Sequence, residues 1–501
     1  MPPSPHTFQE LVDALGDGVL EARGNLKTPV AGADSDSRRI RPGDCFVAIR
    51  GAREDGTRYW PHAREAGAVA LVSETPPETD DGAPFARVAD SYRAAGRIAE
   101  LVHGHPANRL RLIGVTGTNG KTTCAFLLER IATAAGRKAG LIGTVQYAFG
   151  QRVAEADRTT PMPFDLQKLF RDMADGGAEE VVVEVSSHSL AQGRLGTSAC
   201  RGGLFTNLTG DHLDFHETME EYYRAKRRLF TESLAANAPA LINIDDPHGE
   251  RLHCELRKEG SVRPLSFTMT DAEADFRMVQ CATSVHGGTA VLQSNLPGAK
   301  ALDLHTPMIG RYNLCNAGCA AALALALGTE PATVARVVAD FHGAPGRLEP
   351  IRVPGKPAVF VDYAHTDDAL GNVLQALGEV KKARLLVVFG CGGDRDRTKR
   401  PRMARVAEAL ADRVVLTSDN PRTEDPEAIL DEVCAGFSPN ARFQRFADRG
   451  DAIRAALEAA DPDDLVLVAG KGHETYQIVN DTKFPFDDAE VVRSILREAR
   501  A

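Results

Sequence analysis

Residues 111–116, Arg-Leu-Ile-Gly-Val-Thr, form a short apolar run that passes straight into Gly117-Thr-Asn-Gly-Lys-Thr-Thr123. Apolar side chains then recur with helical spacing over 124–135. A strand, a glycine-rich turn and a helix in direct succession require a sheet with helices packed on it. The glycines let the backbone wrap closely around a phosphate chain, with N–H groups pointing inward and the positive helix end behind them. Lys121 can neutralise β/γ-phosphates, and the hydroxyl of Thr122 or Thr123 can reach Mg²⁺. The usual spacing puts a further glycine at 115, where this chain has Val115. The loop predicts nucleotide binding but not the chemistry that follows.

With 501 residues the chain is too long for one ordinary core. Apolar strands are predicted at 45–49, 69–72, 180–185, 203–206 and 240–244, with helical patterns or turn residues between them. That alternation implies a parallel sheet covered by helices. Over 261–304 the pattern changes to short alternating strands with Gly-Gly and Pro-Gly turns, read as an antiparallel appendage. An Ala/Leu-rich helix at 316–327 precedes Gly343-Ala-Pro-Gly346, a plausible hinge. Strands at 359–362, 385–389, 414–417 and 465–469, with a last helix at 489–500, describe a second, smaller doubly wound unit.

Composition removes several classes of function. A net charge of −10 opposes broad nucleic-acid binding, which needs a basic face. There is no apolar run of about 18 residues to span a bilayer. Met1–Glu10 has neither a basic nor an apolar signal region, so a cytoplasmic protein is expected. The nine cysteines contain no CxxC pair, and Cys315 and Cys319 read as small buried hydrophobes.

The loop TGTNGKTT resembles that of the Mur ligase superfamily, which also includes folylpolyglutamate synthetases. Other motifs follow in the order that family has: Asp36-Ser-Arg38, Pro42-Gly-Asp44, Thr159-Thr-Pro161, Glu184-Val-Ser-Ser-His188 and the stretch 207–216. Then come Tyr223-Arg-Ala-Lys226, Gly310-Arg-Tyr-Asn313, Pro345-Gly-Arg347 and Asp362-Tyr-Ala-His365. Gly393-Asp-Arg-Asp396, Asp419-Asn-Pro-Arg422 and Gly470-Lys-Gly-His-Glu474 complete the series, which covers essentially the whole chain. The resemblance implies an α/β protein of three domains: a small UDP-binding domain at 1–108, a central ATP-binding P-loop domain with helices on both sheet faces at 109–340, and a Rossmann-like amino-acid-binding domain at 341–501. It implies a monomeric ligase that forms an acyl phosphate on the D-Glu carboxylate of UDP-MurNAc-L-Ala-D-Glu and passes it to the amine of meso-diaminopimelate. The substrates would be that precursor, the diamino acid and ATP, with Mg²⁺ as cofactor and neither nucleic acid nor membrane as partner.

Site residues follow from the same resemblance. ATP is assigned to Gly117, Thr118, Asn119, Gly120, Lys121, Thr122, Thr123, Asn313, Arg347 and Asp362. Mg²⁺ is assigned to Thr122, Glu184, His212 and Lys226, the lysine carbamylated because an ammonium beside the metal would be repelled while a carbamate supplies oxygens. Ser35, Ser37, Thr159, Thr160, Ser186, Gln192 and Arg194 match precursor-binding positions. Arg395, Asp419, Asn420, Pro421, Arg422, Gly470 and Glu474 match the amino-acid site. A guanidinium at 422 holds the second carboxylate of diaminopimelate through two parallel hydrogen bonds, and L-lysine leaves it unpartnered. His216 is expected to be structural, and Tyr363 and His365 could simply pack. Two positions depart from the family pattern: Asp367, where proline is commoner, and Thr398, where glycine is commoner.

Overall fold

The apolar runs and the helices between them build three large sheets in chain order, beside two small two-stranded ones. The computed structural model describes residues 6–498 apart from 52, 53, 80, 271, 299 and 481. The first sheet has five strands, ordered Val19–Arg23, Phe85–Val88, Ala70–Ser73, Asp44–Val47 and Gly32–Asp34. All its neighbours are parallel except the first pair.

The second sheet has eleven strands. Its parallel core runs Ala139–Ile142, Glu180–Glu184, Arg111–Thr116, Cys200–Phe205, Pro239–Asn243 and Arg263–Thr268. Alternate residues of one strand enter opposite cores, as a two-residue side-chain period requires. Ile113 and Val115 pack with Leu127, Leu128 and Leu323 from the helices Lys121–Ala134 and Arg311–Ala326. Leu112 packs on the other face with Phe170, Tyr222 and Leu252, from Pro163–Asp175, Met219–Glu232 and Pro247–Glu259. Val115 is fully buried there, so the strand continues to Thr116 where the usual spacing would already turn.

The predicted antiparallel appendage is corrected in two respects. Arg263–Thr268, inside the stretch assigned to it, is a parallel strand of the main sheet. Phe276–Ser284 pairs parallel with that strand, and Gly287–Ser294 and Leu302–Thr306 then follow antiparallel, so these strands extend the same sheet. Before the expected hinge at 343–346 lies a further helix, Pro331–Asp340, that the sequence reading omitted.

The third sheet is ordered Glu349–Ile351, Ala358–Asp362, Leu465–Ala469, Leu385–Phe389, Arg413–Thr417 and Phe443–Phe446. Only its first pair is antiparallel. The residues that follow four of these strands are 363–365, 470–474, 390–396 and 418–422, so four loops meet at one carboxyl edge, where open α/β sheets place ligands. Behind that edge Arg449 and Asp488, both fully buried, form a two-pronged ion pair. The same guanidinium donates to the carbonyls of Ser418 and Ala469, tying the ends of two strands together.

Candidate functional site

The strand Arg111–Thr116 ends in a loop whose backbone only glycine serves well at two points. Gly117 and Gly120 both have positive φ, and a Cβ on Gly120 would run into the side-chain amide of Asn316. Lys121 folds back to donate to the carbonyls of Gly117 at 3.0 Å and Thr118 at 2.9 Å. A cavity of about 470 Å³ opens over residues 118–123 and is lined also by Asn313, Arg347, Asp362, His212 and Thr159. Every residue assigned to the nucleotide except Gly117 therefore borders one space.

Three of these residues are also committed to local structure. The Asn313 amide donates to the Ile309 carbonyl at 2.9 Å. The Asp362 carboxylate accepts from the backbone N–H groups of Leu348 and Ala364, which makes it a cap for the strand end, and burial raises its pKa. Arg347 lies over the Tyr363 ring and donates to the Thr122 hydroxyl at 3.3 Å, while its Nε is buried without a hydrogen-bond partner.

Glu184 ends a parallel strand and is fully buried. Its carboxylate accepts from the hydroxyls of Thr122 and Thr144 at 3.0 Å each and from the Thr144 N–H at 3.0 Å. Lys226 is 1% exposed, and its amine donates to the Gly117 carbonyl at 2.7 Å and faces the Tyr222 ring. No carboxylate forms an ion pair with it among the described residues. Burial, helped by the nearby Lys121 ammonium, holds the Lys226 pKa well below the ordinary lysine value. His212, at positive φ, packs edge-on against the His188 ring.

The precursor candidates separate into two places. Thr160, Ser186, Gln192 and Arg194 form one network: Thr160 donates to the Glu184 carbonyl at 2.7 Å, the Ser186 N–H donates to Thr160, and Arg194 reaches the Thr160 carbonyl at 2.6 Å and Gln192 at 2.8 Å. Ser186 also caps the helix Ser187–Ala191. Thr159 shares a hydrogen bond of 3.0 Å with Thr144. Ser35 and Ser37 follow the strand Gly32–Asp34 of the first sheet, and Ser37 meets His62 at 3.1 Å. The first sheet is joined to the centre by Arg39 on Asp165 and by Glu100 accepting from Thr197.

A second cavity, about 670 Å³, is lined by Arg395, Asp419, Asn420, Arg422, Gly470 and Glu474, which unites the amino-acid candidates except Pro421. Arg422 holds positive φ, and its guanidinium donates to the Gly393 carbonyl at 2.7 Å. Burial and the neighbouring Arg395 lower its pKa, as two cations facing one space would. Asn420 donates to Glu474 at 2.8 Å. This cavity shares a wall with the first, formed by Asp211, His212, Tyr363, His365 and Thr366.

Several residues at the junction were not singled out by the sequence. Thr144 anchors Glu184. Asp368 accepts from Asn119 at 2.8 Å and Thr209 at 2.9 Å, so the third sheet's first helix touches the phosphate loop. Arg400, fully buried between Glu424 and Glu432, braces the loop that carries Arg395. Lys471 lies inside a quoted motif but received no role. A short polar contact gives no periodic signal, so only Lys471 had any mark in the sequence.

The fold and the two adjoining cavities define a phosphate-loop α/β protein with a second cleft beside the loop, lined by both guanidinium and carboxylate groups. Three family models match in succession: "Mur ligase family, catalytic domain" over 29–115, "Mur ligase middle domain" over 115–324 and "Mur ligase, glutamate ligase domain" over 346–472. Proteins named UDP-N-acetylmuramoyl-L-alanyl-D-glutamate--2,6-diaminopimelate ligase are similar along nearly their full length. That of Chlorobaculum tepidum is 43% identical, covering 98% of each chain, and that of Geobacter metallireducens 40%, covering 95% of this chain and 96% of its own. A solved structure of a protein with that name aligns at a TM-score of 0.69 and 32% identity, over 99% of this chain and 100% of its own. The chain belongs to the Mur ligase family.

Proposed function

We propose that this chain is an ATP-dependent ligase that joins meso-2,6-diaminopimelate to the D-Glu carboxylate of UDP-MurNAc-L-Ala-D-Glu in peptidoglycan precursor synthesis. The observation that carries the reading is the wall shared by the two cavities, which sets a phosphate loop opposite Arg422 and Glu474. Near-full-length relatives bearing that activity in their names support it. The domain limits we propose are 1–108, 109–340 and 341–501, with the precursor's UDP on the first, ATP on the second and the amino acid on the third.

A carboxylate resists an amine because its oxygen is a poor leaving group. Its attack on the γ-phosphorus of ATP breaks the bond to the β-phosphate oxygen and releases ADP. The amine then adds to the acyl phosphate, loses a proton and expels phosphate. Carboxylate and triphosphate repel one another, and two unit charges about 4 Å apart interact by roughly 4 kcal/mol near a protein surface. Lys121 and the loop's N–H groups offset that repulsion, and positioning does most of the rest.

The residues at the loop fit a Mg²⁺ ion. Glu184 and Thr122 offer hard oxygen donors beside the phosphate position. Among the described residues, no group of three or more His, Cys, Asp or Glu side chains could hold a metal ion. Glu184 and Thr122, with His212 and a carbamylated Lys226, would hold it, and it would neutralise charge developing on the transferred phosphoryl group. Burial, which lowers the Lys226 pKa, favours the neutral amine, whose nitrogen can attack CO₂ and lose a proton to give the carbamate.

Ser35, Ser37, Thr159, Thr160, Ser186, Gln192 and Arg194 are proposed to hold the precursor. We propose a cytoplasmic monomer that binds no nucleic acid. Among the described residues no helix is long and apolar enough to cross a membrane. The test is to offer precursor, ATP and Mg²⁺ with either meso-diaminopimelate or L-lysine and to weigh the product. An amide with diaminopimelate, and phosphate release that needs both acceptor and amino acid, is expected. Phosphate release without them, or equal incorporation of lysine, overturns the assignment.

A further inference from the structure

The cavity of about 670 Å³ carries a charge arrangement that no assigned role explains. Lys471 follows the buried strand Leu465–Ala469 and is itself fully buried. Its amine donates to the Asn420 side-chain carbonyl at 3.2 Å and to the Glu474 carboxylate at 3.1 Å, and lies 3.8 Å from the Asp419 carboxylate. Asp419, Asn420 and Glu474 line the cavity, whereas Lys471 stands behind them. One Asp419 oxygen is buried without a hydrogen-bond partner. The Asn420 carbonyl oxygen accepts from Lys471 and from the Ile478 N–H, while its amide donates to Glu474.

A buried ammonium lacking a view of the ligand contributes through the groups it holds. Burial raises the Glu474 pKa, the Lys471 ammonium opposes that rise and the neighbouring Asp419 adds to it. Lys471 therefore favours the ionised form of the Glu474 carboxylate that faces the cavity. That wall can match one ligand ammonium, while Arg395 and Arg422 across the cavity match a carboxylate. An α-amino acid end group presents both charges on one carbon.

We propose that Lys471 is a positioning and specificity residue, which orients Asn420 and Glu474 and sets the wall's charge so that the cleft selects a diacid whose remote carboxylate carries a neighbouring ammonium. The inference rests on the reading of this cleft as the amino-acid site. It adds to that reading the cation behind the wall as the group that positions Asn420 and Glu474.

The experiment compares meso-diaminopimelate with 2-aminopimelate, which keeps the remote carboxylate and lacks the remote ammonium, on the full-length chain and on Lys471→Met and Lys471→Arg. Wild type is expected to prefer diaminopimelate. In Lys471→Met the KM for diaminopimelate should rise tenfold or more with kcat within about twofold, while the KM for 2-aminopimelate changes little, so the preference narrows. Lys471→Arg should keep the preference. If both KM values rise in parallel, or the preference is unchanged, Lys471 only braces its turn and the inference falls. Should Lys471→Met fail to fold, Lys471→Gln, a neutral donor, must show the same narrowing, and an unnarrowed preference overturns the inference. A wild-type chain that takes diaminopimelate but responds in none of these ways refutes the role of Lys471 alone. One that takes neither amino acid refutes the reading of the cleft, and this inference with it.

Discussion

The phosphate loop and the amino-acid cleft lie side by side yet are built on opposite plans. In the proposed reading the loop binds with backbone: its N–H groups, two left-handed glycines and a helix end come from one stretch of seven residues, 117–123. In the proposed reading the cleft binds with side chains from three separate loops, Arg395 after one strand, Asp419–Arg422 after the next and Glu474 after a third. The loop needs only the strand before it and the helix after it. The cleft needs Arg449–Asp488 and Arg400–Glu424 buried behind it, because side chains from different strands keep their mutual distances only if the strand ends are fixed. Recognition of a phosphate common to all nucleotides can be local, and recognition of one amino acid has to be assembled.

That contrast can be broken experimentally at either side. The largest effect is expected from Lys226→Ala. Loss of one preorganised charge aimed at the reacting centre costs on the order of 10²–10³ in kcat, and a small carboxylate added to the buffer should restore part of it. Full activity in that variant would end the carbamate proposal, and intact-protein mass spectrometry of the wild type before and after CO₂ removal checks it independently. Next comes Arg422→Ala. Truncating one partner of a buried charge pair costs about 2–5 kcal/mol, which should appear as a raised KM for diaminopimelate with the KM for ATP unchanged. A matching rise for ATP would show that the two sites are not separately built.

Acid should strain the junction between them. Burial pushes the pKa of His365 and of His473 down to about 4, with the cations Lys399 and Arg347 adding to the effect. His103, far from both cavities, is likewise pushed to about 4 by burial. The unfolded chain binds protons at these positions near pH 6.5 while the folded chain does not, so their contribution is intact above pH 6.5 and is lost as pH falls toward 4. Thermal midpoints measured from pH 7 to pH 5 should fall, and His365→Gln should flatten part of that slope. A slope unchanged by the substitution removes His365 from the account. The smallest effect is expected at Asp368→Ala. Losing its hydrogen bonds to Asn119 and Thr209 costs about 1–2 kcal/mol of stability, with the preference for diaminopimelate over lysine unaffected. A changed preference would mean that this contact reports from one site to the other.

The strands Arg111–Thr116, Leu385–Phe389 and Leu465–Ala469 coincide with the predicted runs because fully buried parallel strands are uninterrupted apolar segments. Phe443-Gln-Arg-Phe446 was missed because an edge strand needs only one partner and can stay polar. The antiparallel character of 276–306 was legible from its alternation and turns, but its attachment to the main sheet was not, since pairing of Phe267 with Phe276 leaves no periodic mark. Asp368 and Thr144 were invisible for the same reason: each acts on a partner brought near by folding.

Sequence alone determined the phosphate loop, the order of strands and helices and the family's motifs, because each is written in neighbouring residues whose backbone preferences and apolar periods are local. Tertiary structure alone decided that the two cavities share a wall and that Lys226 is a buried amine donating to the Gly117 carbonyl. It also placed Lys471 behind Asp419 and Glu474. Those facts depend on distances between side chains far apart in the chain, and burial, which fixes both charge state and orientation, exists only once the sheets have packed.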